Sequence, residues 1–334
     1  MSDLFPVLDM SEAESGGPEG RAAFLDRLRA AVHDIGFFQL TGHGVTGADR
    51  LLELAQAFFA LPEHELAELS ILKSPHFRGY SEVGRERTAG APDFRAQLDI
   101  GPEQAVSVPT ASDPEYLWLA GPNQWPASMP ELRSAVLDWT ARLTDVSYRL
   151  LRLILAALDT PEDFLDPVVA DRPHAHFKLV HYPGLQGASE PGQGIGVHKD
   201  YGLLTLLLQD DKGGLQVELD DGEFHDVPVI PGAFVVNLGE LLEVATRGYL
   251  RATTHRVVSP PAGVNRYSAP FFYNPRLDAS MVPLPTRYVT EAAGVVHDPR
   301  NPLTSSYGDN VMRGVRRAFP EVFARHHPDL MAAG

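Results

Sequence analysis

Residues 196–208 read GVHKDYGLLTLLL, and the interpretation of the whole chain starts from them. The tripeptide His198-Lys199-Asp200 is followed by an apolar run typical of a β-strand. On an extended strand alternate side chains share a face, so His198 and Asp200 can reach one metal ion while Lys199 points away and stays solvated. The stretch therefore predicts a strand that carries two metal ligands.

A third candidate ligand, His255, lies far along the chain in the run Thr254-His255-Arg256-Val257-Val258. Two imidazoles and one carboxylate hold three adjacent positions on a metal and leave the others open, which is the arrangement found in non-heme Fe(II) oxygenases. The residues therefore predict an iron site formed by His198, Asp200 and His255. Zinc and manganese stay open as alternatives, because ligand preference alone does not select iron.

Residues 266–273 predict a strand on which Arg266, Ser268, Pro270 and Phe272 share one face. A planar guanidinium binds a carboxylate through two hydrogen bonds, and a neighbouring hydroxyl adds a donor. Arg266 and Ser268 can therefore bind one organic anion together. The alternative is that Arg266 forms a structural salt bridge and Ser268 faces solvent.

A second strand, over residues 175–182, turns His176, Lys178 and Tyr182 to one side. A lysine inside a cavity is costly unless it meets an anion, so Lys178 is a candidate for substrate binding, and a salt bridge to a nearby carboxylate is the alternative. His174 and His176 form another His-x-His pair, which ranks below the first cluster because it lacks a third ligand.

The composition is that of an ordinary globular protein, with 44% hydrophobic and 22% charged residues in 334. The formal net charge of −16 predicts a small-molecule partner rather than nucleic acid or an anionic membrane. The chain contains no cysteine, which excludes disulfides and thiol catalysis and fits a cytoplasmic location. The N-terminus lacks a basic segment followed by an apolar core, and no apolar run approaches the roughly 20 residues that cross a bilayer.

The patterning predicts a mixed α/β chain with a mainly β core. Helices are expected over 21–35, 47–60, 63–70, 131–158 and 305–326, and residues 75–126 are expected to be mostly loops with one or two short strands. Early strands are expected at 5–9 and 37–40, and later ones at 175–182, 202–208, 214–218, 223–226, 233–237, 252–258 and 266–273. Such strand spacing favours a sandwich or jelly roll flanked by helices.

Together these motifs resemble the isopenicillin N synthase-like group of Fe(II)/2-oxoglutarate-dependent dioxygenases. The likeness includes Gly213-Gly214-Leu215-Gln216-Val217, Asn237-Leu238-Gly239-Glu240 and Arg266-Tyr267-Ser268. Upstream, Gly36-Phe37-Phe38, His43-Gly44-Val45, Arg78-Gly79-Tyr80, the run from Gly121 to Pro126 and Tyr182-Pro183 are similar to landmarks of the group in the same order. The resemblance runs along nearly the whole chain.

The resemblance implies a double-stranded β-helix of the cupin type with iron between its sheets. It further implies that 2-oxoglutarate and O2 are cosubstrates, that succinate and carbon dioxide are released, and that a C–H bond of a small molecule is oxidised, by default through hydroxylation. Arg266 and Ser268 would then bind the distal carboxylate of 2-oxoglutarate, with Tyr182 as a third contact. Asp200 argues against a halogenase, in which the carboxylate ligand is normally replaced.

Substrate contacts are expected from Lys178 and Phe272, and from Arg78 and Tyr80 in the loop-rich region, where related enzymes place such contacts. The sequence departs from the group at Val180, where plant members often carry asparagine, and this puts one polar contact to the cosubstrate in doubt.

Two regions are expected, 1–125 as a mixed α/β part that supplies substrate loops and 126–334 as the catalytic core, fused into one structural unit. A monomer or weak oligomer is expected. Alternatives are an iron oxidase of the same fold that does not use 2-oxoglutarate, such as an oxidative cyclase or an ascorbate-dependent oxidase, and a ligand-binding protein without turnover.

Overall fold

The computed structural model describes residues 4–88, 90–106, 108–110, 112–184, 192–295 and 302–331. Its helices are α1 (Met10–Ser15), α2 (Gly17–Asp34), α3 (Ala48–Phe59), α4 (Glu63–Glu68), α5 (Pro130–Ala157), α6 (Asp166–Val169), α7 (Glu240–Ala245), α8 (Tyr307–Ala318), α9 (Pro320–His326) and α10 (Pro328–Met331). Short 3-10 helices occur at Ile71–Lys73, Glu115–Leu119 and Arg287–Thr290.

The strands of the N-terminal part are β1 (Val7–Asp9), β2 (Phe37–Thr41), β3 (Gly79–Ser81), β4 (Arg87–Thr88), β5 (Ala91–Pro92) and β6 (Ala96–Ile100). Those that follow α5 are β7 (His176–Tyr182), β8 (Gln193–His198), β9 (Leu204–Gln209), β10 (Leu215–Glu218), β11 (Phe224–Asp226), β12 (Phe234–Leu238), β13 (His255–Val258) and β14 (Arg266–Tyr273).

Two sheets form the core. The large sheet has the strand order β1-β2-β12-β9-β14-β7-β6-β3, and the small sheet has the order β11-β10-β13-β8. All described pairings in the two sheets are antiparallel except β1 with β2. This mixed α/β architecture with a mainly antiparallel core confirms the expected jelly roll.

The alternation of side chains along β14 distinguishes the two faces of the large sheet, one packed in the main core and one facing the cavity. Ala269, Phe271 and Tyr273 are buried in the main apolar core together with residues of the helices. A smaller apolar cluster, which includes Val180, Tyr182, Leu215 and Val257, joins the inner face of the large sheet to the small sheet. The site between the sheets is therefore enclosed by two packed layers.

Helix α5 supports the outer face of the large sheet. Its apolar side chains recur at helical spacing, and those at Leu132, Val136, Leu143 and Leu150 are fully buried. Pro130 begins the helix at a position where the missing N–H costs nothing. The prediction of a long helix over 131–158 is confirmed to within a residue at each end.

The N-terminal half contains more strand than predicted. Strands β3 and β6 join the large sheet, and β4 and β5 form a separate hairpin, so four strands lie where mostly loops were expected. All five residues of β6 are buried, although Gln97 and Asp99 are polar. Because those polar residues interrupt the apolar pattern, periodicity alone could not identify β6.

The C-terminal helix is divided, contrary to the single helix predicted over 305–326. Helix α8 ends at Ala318 and α9 begins at Pro320. A residue before proline is driven out of the helical region, and Phe319 has φ −129° and ψ 56°. Further differences are α1 and α7, which were not predicted, and the end of β8, which stops at His198 instead of continuing through Asp200.

Candidate metal and cosubstrate site

The three predicted metal ligands come together between the sheets. His198 and His255 stand opposite each other on the paired strands β8 and β13. Asp200 Oδ1 lies 3.7 Å from His198 Nε2 and 3.9 Å from His255 Nε2. In the described part of the chain this is the one group of three acidic or histidine side chains whose ligand atoms all lie within 4.8 Å of one another.

Backbone carbonyls orient both imidazoles. Nδ1 of His198 lies 2.8 Å from the Gly196 carbonyl oxygen, and Nδ1 of His255 lies 3.0 Å from that of Thr253. Each Nδ1–H therefore donates to a carbonyl two residues earlier, and Nε2 keeps its lone pair. Both lone pairs are available for a metal ion.

Asp200 was predicted on the strand itself, but it lies just beyond the end of β8, and the large sheet orients it. Its Oδ2 accepts hydrogen bonds from Thr205 Oγ1 at 2.5 Å and Asn237 Nδ2 at 2.8 Å. Those partners come from β9 and β12, so Oδ1 is left facing the histidines. The sequence offered two signals for these partners: a threonine inside an apolar strand and an asparagine in the motif that begins at residue 237.

Burial sets the protonation of the cluster. It lowers the pKa of His198 to about 4, with His255 contributing further in the same direction. Burial alone would raise the pKa of Asp200, but His255, His198 and the two hydrogen bonds together lower it. At neutral pH the cluster therefore consists of neutral imidazole at His198 and a carboxylate at Asp200, the forms that bind metals.

The donor set fits Fe(II). Two imidazole nitrogens and one carboxylate oxygen converge from one side, each held by a second hydrogen bond that fixes its orientation. A cavity of about 1020 Å³ opens on this side, with all three ligands in its wall. There is room beside the ligands for a cosubstrate, oxygen and a substrate.

Arg266 lies in the same cavity wall and is buried to 1% exposure. Its guanidinium donates to the Gly213 carbonyl oxygen, to Gln209 Oε1 at 3.1 Å and to Ser268 Oγ at 3.5 Å. The Tyr182 ring lies 4.6 Å from the centre of the guanidinium. No carboxylate of the described residues forms an ion pair with Arg266, so its buried charge has no acidic partner among them.

Beyond the metal cluster the cavity wall is charged. Lys178 Nζ lies 3.3 Å from both Glu86 and Asp99, and Arg95 pairs with Glu86 at 2.7 Å. His176 Nε2 lies 3.1 Å from Asp99, whose pKa is lowered by Lys178 and His176 although burial opposes the change. The alternative weighed for Lys178, a salt bridge, is thus present. Glu86, Arg95 and Asp99 were missed because they lie in the stretch predicted as loops.

Of the three other predicted substrate contacts, two line the cavity and one does not. Phe272 and Arg78 line the cavity. Arg78 is 1% exposed and donates to the carbonyl oxygens of His76, Phe77 and Leu119, and burial lowers its pKa to about 10.

Tyr80 requires a correction, because it does not line this cavity. Strand β3 is the outer edge of the large sheet, where the Tyr80 ring packs beside Phe58 and Phe59. Lys199 also differs from expectation: it forms an ion pair with Glu243 at 3.3 Å and lines the cavity instead of being fully solvated.

The second histidine pair has its own partners. His174 Nδ1 lies 3.0 Å from the Tyr307 hydroxyl, and His176 bonds to Asp99. Burial lowers the pKa of His174 well below its usual value. The pair therefore belongs to the hydrogen-bonded wall of the cavity.

A jelly roll that holds a two-histidine, one-carboxylate cluster beside a buried arginine without an acidic partner among the described residues defines a non-heme iron oxygenase. Comparison with known proteins agrees. Residues 5–128 match the family described as non-haem dioxygenase in morphine synthesis N-terminal, and residues 173–275 match the 2OG-Fe(II) oxygenase superfamily. The chain belongs to the 2OG-Fe(II) oxygenase superfamily and is an Fe(II)- and 2-oxoglutarate-dependent dioxygenase.

Similar proteins occur in fungi and plants. The chain is 37% identical to the 2-oxoglutarate-dependent dioxygenase frbJ of Dothideomycetidae sp. (strain 11243), over 83% of this chain and 76% of that one. It is 33% identical to homoarginine-6-hydroxylase 2-ODD-C23.1 of Arabidopsis thaliana, over 84% and 87% of the two chains. A Neurospora crassa protein crystallised in complex with alpha-KG and thymine superposes with a TM-score of 0.75 and 26% identity, covering 92% of this chain and 96% of that one.

These likenesses favour use of 2-oxoglutarate over the alternative of an oxidase that does without it. Among the helices of the described residues, none has the length and apolar character needed to cross a bilayer.

Proposed function

We propose that this enzyme hydroxylates a small polar molecule, with His198, Asp200 and His255 as the iron ligands and Arg266, Ser268 and Tyr182 as the 2-oxoglutarate site. The observation that carries the proposal is the pairing, in one cavity, of the three converging ligand atoms with the buried Arg266, which lacks a carboxylate partner among the described residues. A dicarboxylate that reaches from the metal to Arg266 would supply that partner.

Bound Fe(II) with 2-oxoglutarate supplies the oxidising chemistry: one atom of O2 enters a C–H bond of the substrate, and the other enters succinate as carbon dioxide leaves. The protein's own residues bind and orient the reactants. Thr205 and Asn237 hold the Asp200 carboxylate in one orientation, and Gln209 and Gly213 hold the Arg266 guanidinium. The Tyr182 ring covers that guanidinium and excludes water from it.

The charged wall supports a polar substrate. Lys178 and His176 face the cavity and are only partly exposed, at 12% and 20% of their side chains. These groups are already paired with Glu86 and Asp99, and an apolar substrate would remove water from this charged set without adding hydrogen bonds, which is unfavourable. We therefore propose Lys178 and Arg78 as polar contacts and Phe272 as an apolar one. Homoarginine in the name of one similar protein and thymine in the complex of another indicate polar nitrogen compounds as the first probes.

The test of the metal and cosubstrate assignment uses the purified protein freed of metal with a chelator. Under anaerobic conditions, calorimetry should show Fe(II) binding, followed by 2-oxoglutarate binding that depends on the metal. His255→Ala should abolish both and should also abolish succinate release in air, whereas the exposed change Ser134→Ala should leave all three intact. Full succinate release by His255→Ala would overturn the assignment.

The test of substrate polarity measures succinate release stimulated by L-homoarginine, by thymine and by an apolar carboxylic acid of similar size. Mass spectrometry should detect one added oxygen atom in a polar probe. Lys178→Met should raise KM for that probe and leave KM for 2-oxoglutarate unchanged. Stimulation by the apolar acid alone would contradict the proposal.

We further propose that the regions 1–125 and 126–334 form one structural unit, because strands from both pair in the large sheet. We propose a monomer or weak oligomer in the cytoplasm, without nucleic-acid or membrane partners. The net charge of −16 and the absence of cysteine support this. Light scattering of the purified protein would test the oligomeric state.

A further inference from the structure

Asp93 is a fully buried carboxylate outside the metal cluster, in the turn between β5 and β6. Its Oδ1 accepts hydrogen bonds from Gln193 Nε2 at 2.9 Å and from the backbone N–H of Gly196 at 3.2 Å. Its Oδ2 accepts from Thr88 Oγ1 at 2.8 Å and from Arg95 at 3.3 Å. Each oxygen of the carboxylate thus has two donors, which is a fully satisfied buried site.

Two of these donors belong to β8, the strand that ends in the metal ligand His198. Strand β8 is at the edge of the small sheet, with β13 on one side and, within the described residues, no strand of that sheet on the other. An edge strand leaves backbone N–H groups without partners, and such edges are less well fixed than central strands. Asp93 takes the place of a neighbouring strand at Gly196, and the backbone bond from Phe94 N–H to the Gln193 carbonyl extends this attachment.

Through Gly196, the hydrogen bonds of Asp93 continue to the imidazole of His198. The N–H of Gly196 is bonded to Asp93, and the carbonyl of the same residue accepts the hydrogen bond from His198 Nδ1 at 2.8 Å. A shift of residue 196 would therefore turn the His198 ring. Asp93 itself is not part of the metal-binding group.

A side chain at residue 196 would press on two neighbouring side chains. A Cβ there would lie 2.8 Å from Gln193 Nε2 and 2.9 Å from Thr88 Cγ2. A side chain at 196 would therefore displace Gln193 and Thr88, two of the groups that donate to the Asp93 carboxylate.

We propose that Asp93 is a positioning residue for the iron site: its carboxylate holds the N–H of Gly196, and the carbonyl of the same residue holds His198 in the orientation that binds metal. This inference rests on the proposed function, because it assumes that His198 is an iron ligand. Loss of a group that bonds directly to a metal ligand weakens metal binding by about 10- to 100-fold, and the lower end of this range is expected for Asp93, which acts through Gly196.

The decisive variant is Asp93→Asn, which keeps size and shape. The asparagine amide has one oxygen and one NH2 group in place of the two carboxylate oxygens. Two of the four groups that donate to Asp93 would therefore face the NH2 group, which cannot accept their hydrogen bonds. Two variants serve as controls. Thr88→Val removes a single donor from Oδ2 and leaves the bonds to β8, and Asp113→Asn makes the same chemical change at an exposed aspartate that bonds to Thr110.

The measurement is the affinity of each metal-free protein for Co(II) and Fe(II) by anaerobic calorimetry, with circular dichroism melting as the test of folding. We expect Asp93→Asn to bind metal about tenfold more weakly than the unchanged protein, and both controls to stay within about twofold of it. Wild-type affinity in a folded Asp93→Asn protein would overturn the inference. So would an equal loss in Thr88→Val, because that would indicate general loosening of the cavity wall.

If Asp93→Asn does not fold, a measurement on the unchanged protein still tests the inference. Hydrogen exchange followed by NMR should show the Gly196 amide to be as protected as amides of central strands, although β8 is at an edge. Exchange at the rate of an amide exposed to water would overturn the inference. Failure of the proposed function would give a different result from failure of this inference, because the unchanged protein itself would then bind no metal.

Discussion

At the scale of single residues, the three proposed metal ligands are oriented in two ways. Both histidines bond to a carbonyl two positions earlier in the chain, so their direct hydrogen-bond partners are local. Asp200 instead depends on Thr205 and Asn237 in the opposite sheet. The carboxylate can therefore take its working orientation only after the two sheets have packed together.

Arg266 is the residue for which a substitution has the clearest expected effect. Arg266→Met should weaken 2-oxoglutarate binding by about 2–5 kcal/mol, because a buried charge pair loses one partner. Metal affinity without the cosubstrate should not change, since the described hydrogen bonds of Arg266 go to Gly213, Gln209 and Ser268 and not to the ligands.

Anaerobic calorimetry checks both affinities of Arg266→Met. The control is Arg276→Met, at a partly exposed arginine that pairs with Asp278. Equal 2-oxoglutarate affinity in the two variants would refute the assigned role.

At the scale of elements, helix α5 illustrates how packing supports the site from behind. Its buried side chains contact the outer face of the large sheet, whose inner face carries Arg266 and Ser268. The helix therefore contributes to the site through the stability of the strands and not through contact with the reactants.

Leu143→Ala should lower the free energy of unfolding by about 2–5 kcal/mol, because it leaves a cavity at a fully buried position. Ser134→Ala on the exposed side of the same helix should change it by less than about 0.5 kcal/mol. Urea unfolding followed by circular dichroism measures both. A loss of less than about 1 kcal/mol for Leu143→Ala would mean that the helix packs more loosely than the structure indicates.

The same elements explain what the sequence could predict. Helix α5 and strand β14 have clear apolar periods, and both were predicted with nearly correct bounds. Strand β6 was not, because the buried Asp99 has its partners far away in the chain. The spacing of His198, Asp200 and His255 indicated a metal site, but the register that places His198 opposite His255 depends on tertiary structure. The role proposed for Asp93 likewise depends on tertiary contacts between residues far apart in the chain.

At the scale of the whole molecule, buried histidines link folding to pH. His43 is 7% exposed, donates from Nε2 to the Gly232 carbonyl oxygen and accepts from the Val45 N–H at Nδ1. Burial lowers its pKa, opposed by the hydrogen bond to Gly232, with Arg149 acting in the same direction as burial and Asp9 opposing. Burial likewise lowers the pKa of His76 and His327.

The sign of the pH effect follows from these lowered pKa values. Below about pH 6.5 the unfolded chain takes up protons on these histidines before the folded protein does, so the free energy of unfolding should fall as the pH drops. Each such group contributes at most about 1.4 kcal/mol per pH unit, and the loss ends below its folded pKa. His43→Gln should reduce the slope between about pH 7 and pH 5.5 in urea titrations of the metal-free protein. An unchanged slope would show that His43 is protonated equally in both states.

The reaction cavity is assembled from three separate parts of the chain. Glu86 and Arg87 come from the N-terminal part, Lys178 and Phe272 from the jelly roll, and Val311 from the C-terminal helix α8. The proposed iron ligands His198, Asp200 and His255 lie in the middle part only. If the proposed site is correct, mutations in the two outer parts should change substrate choice and leave the metal ligands in place, and exchange of those parts between related enzymes would test this.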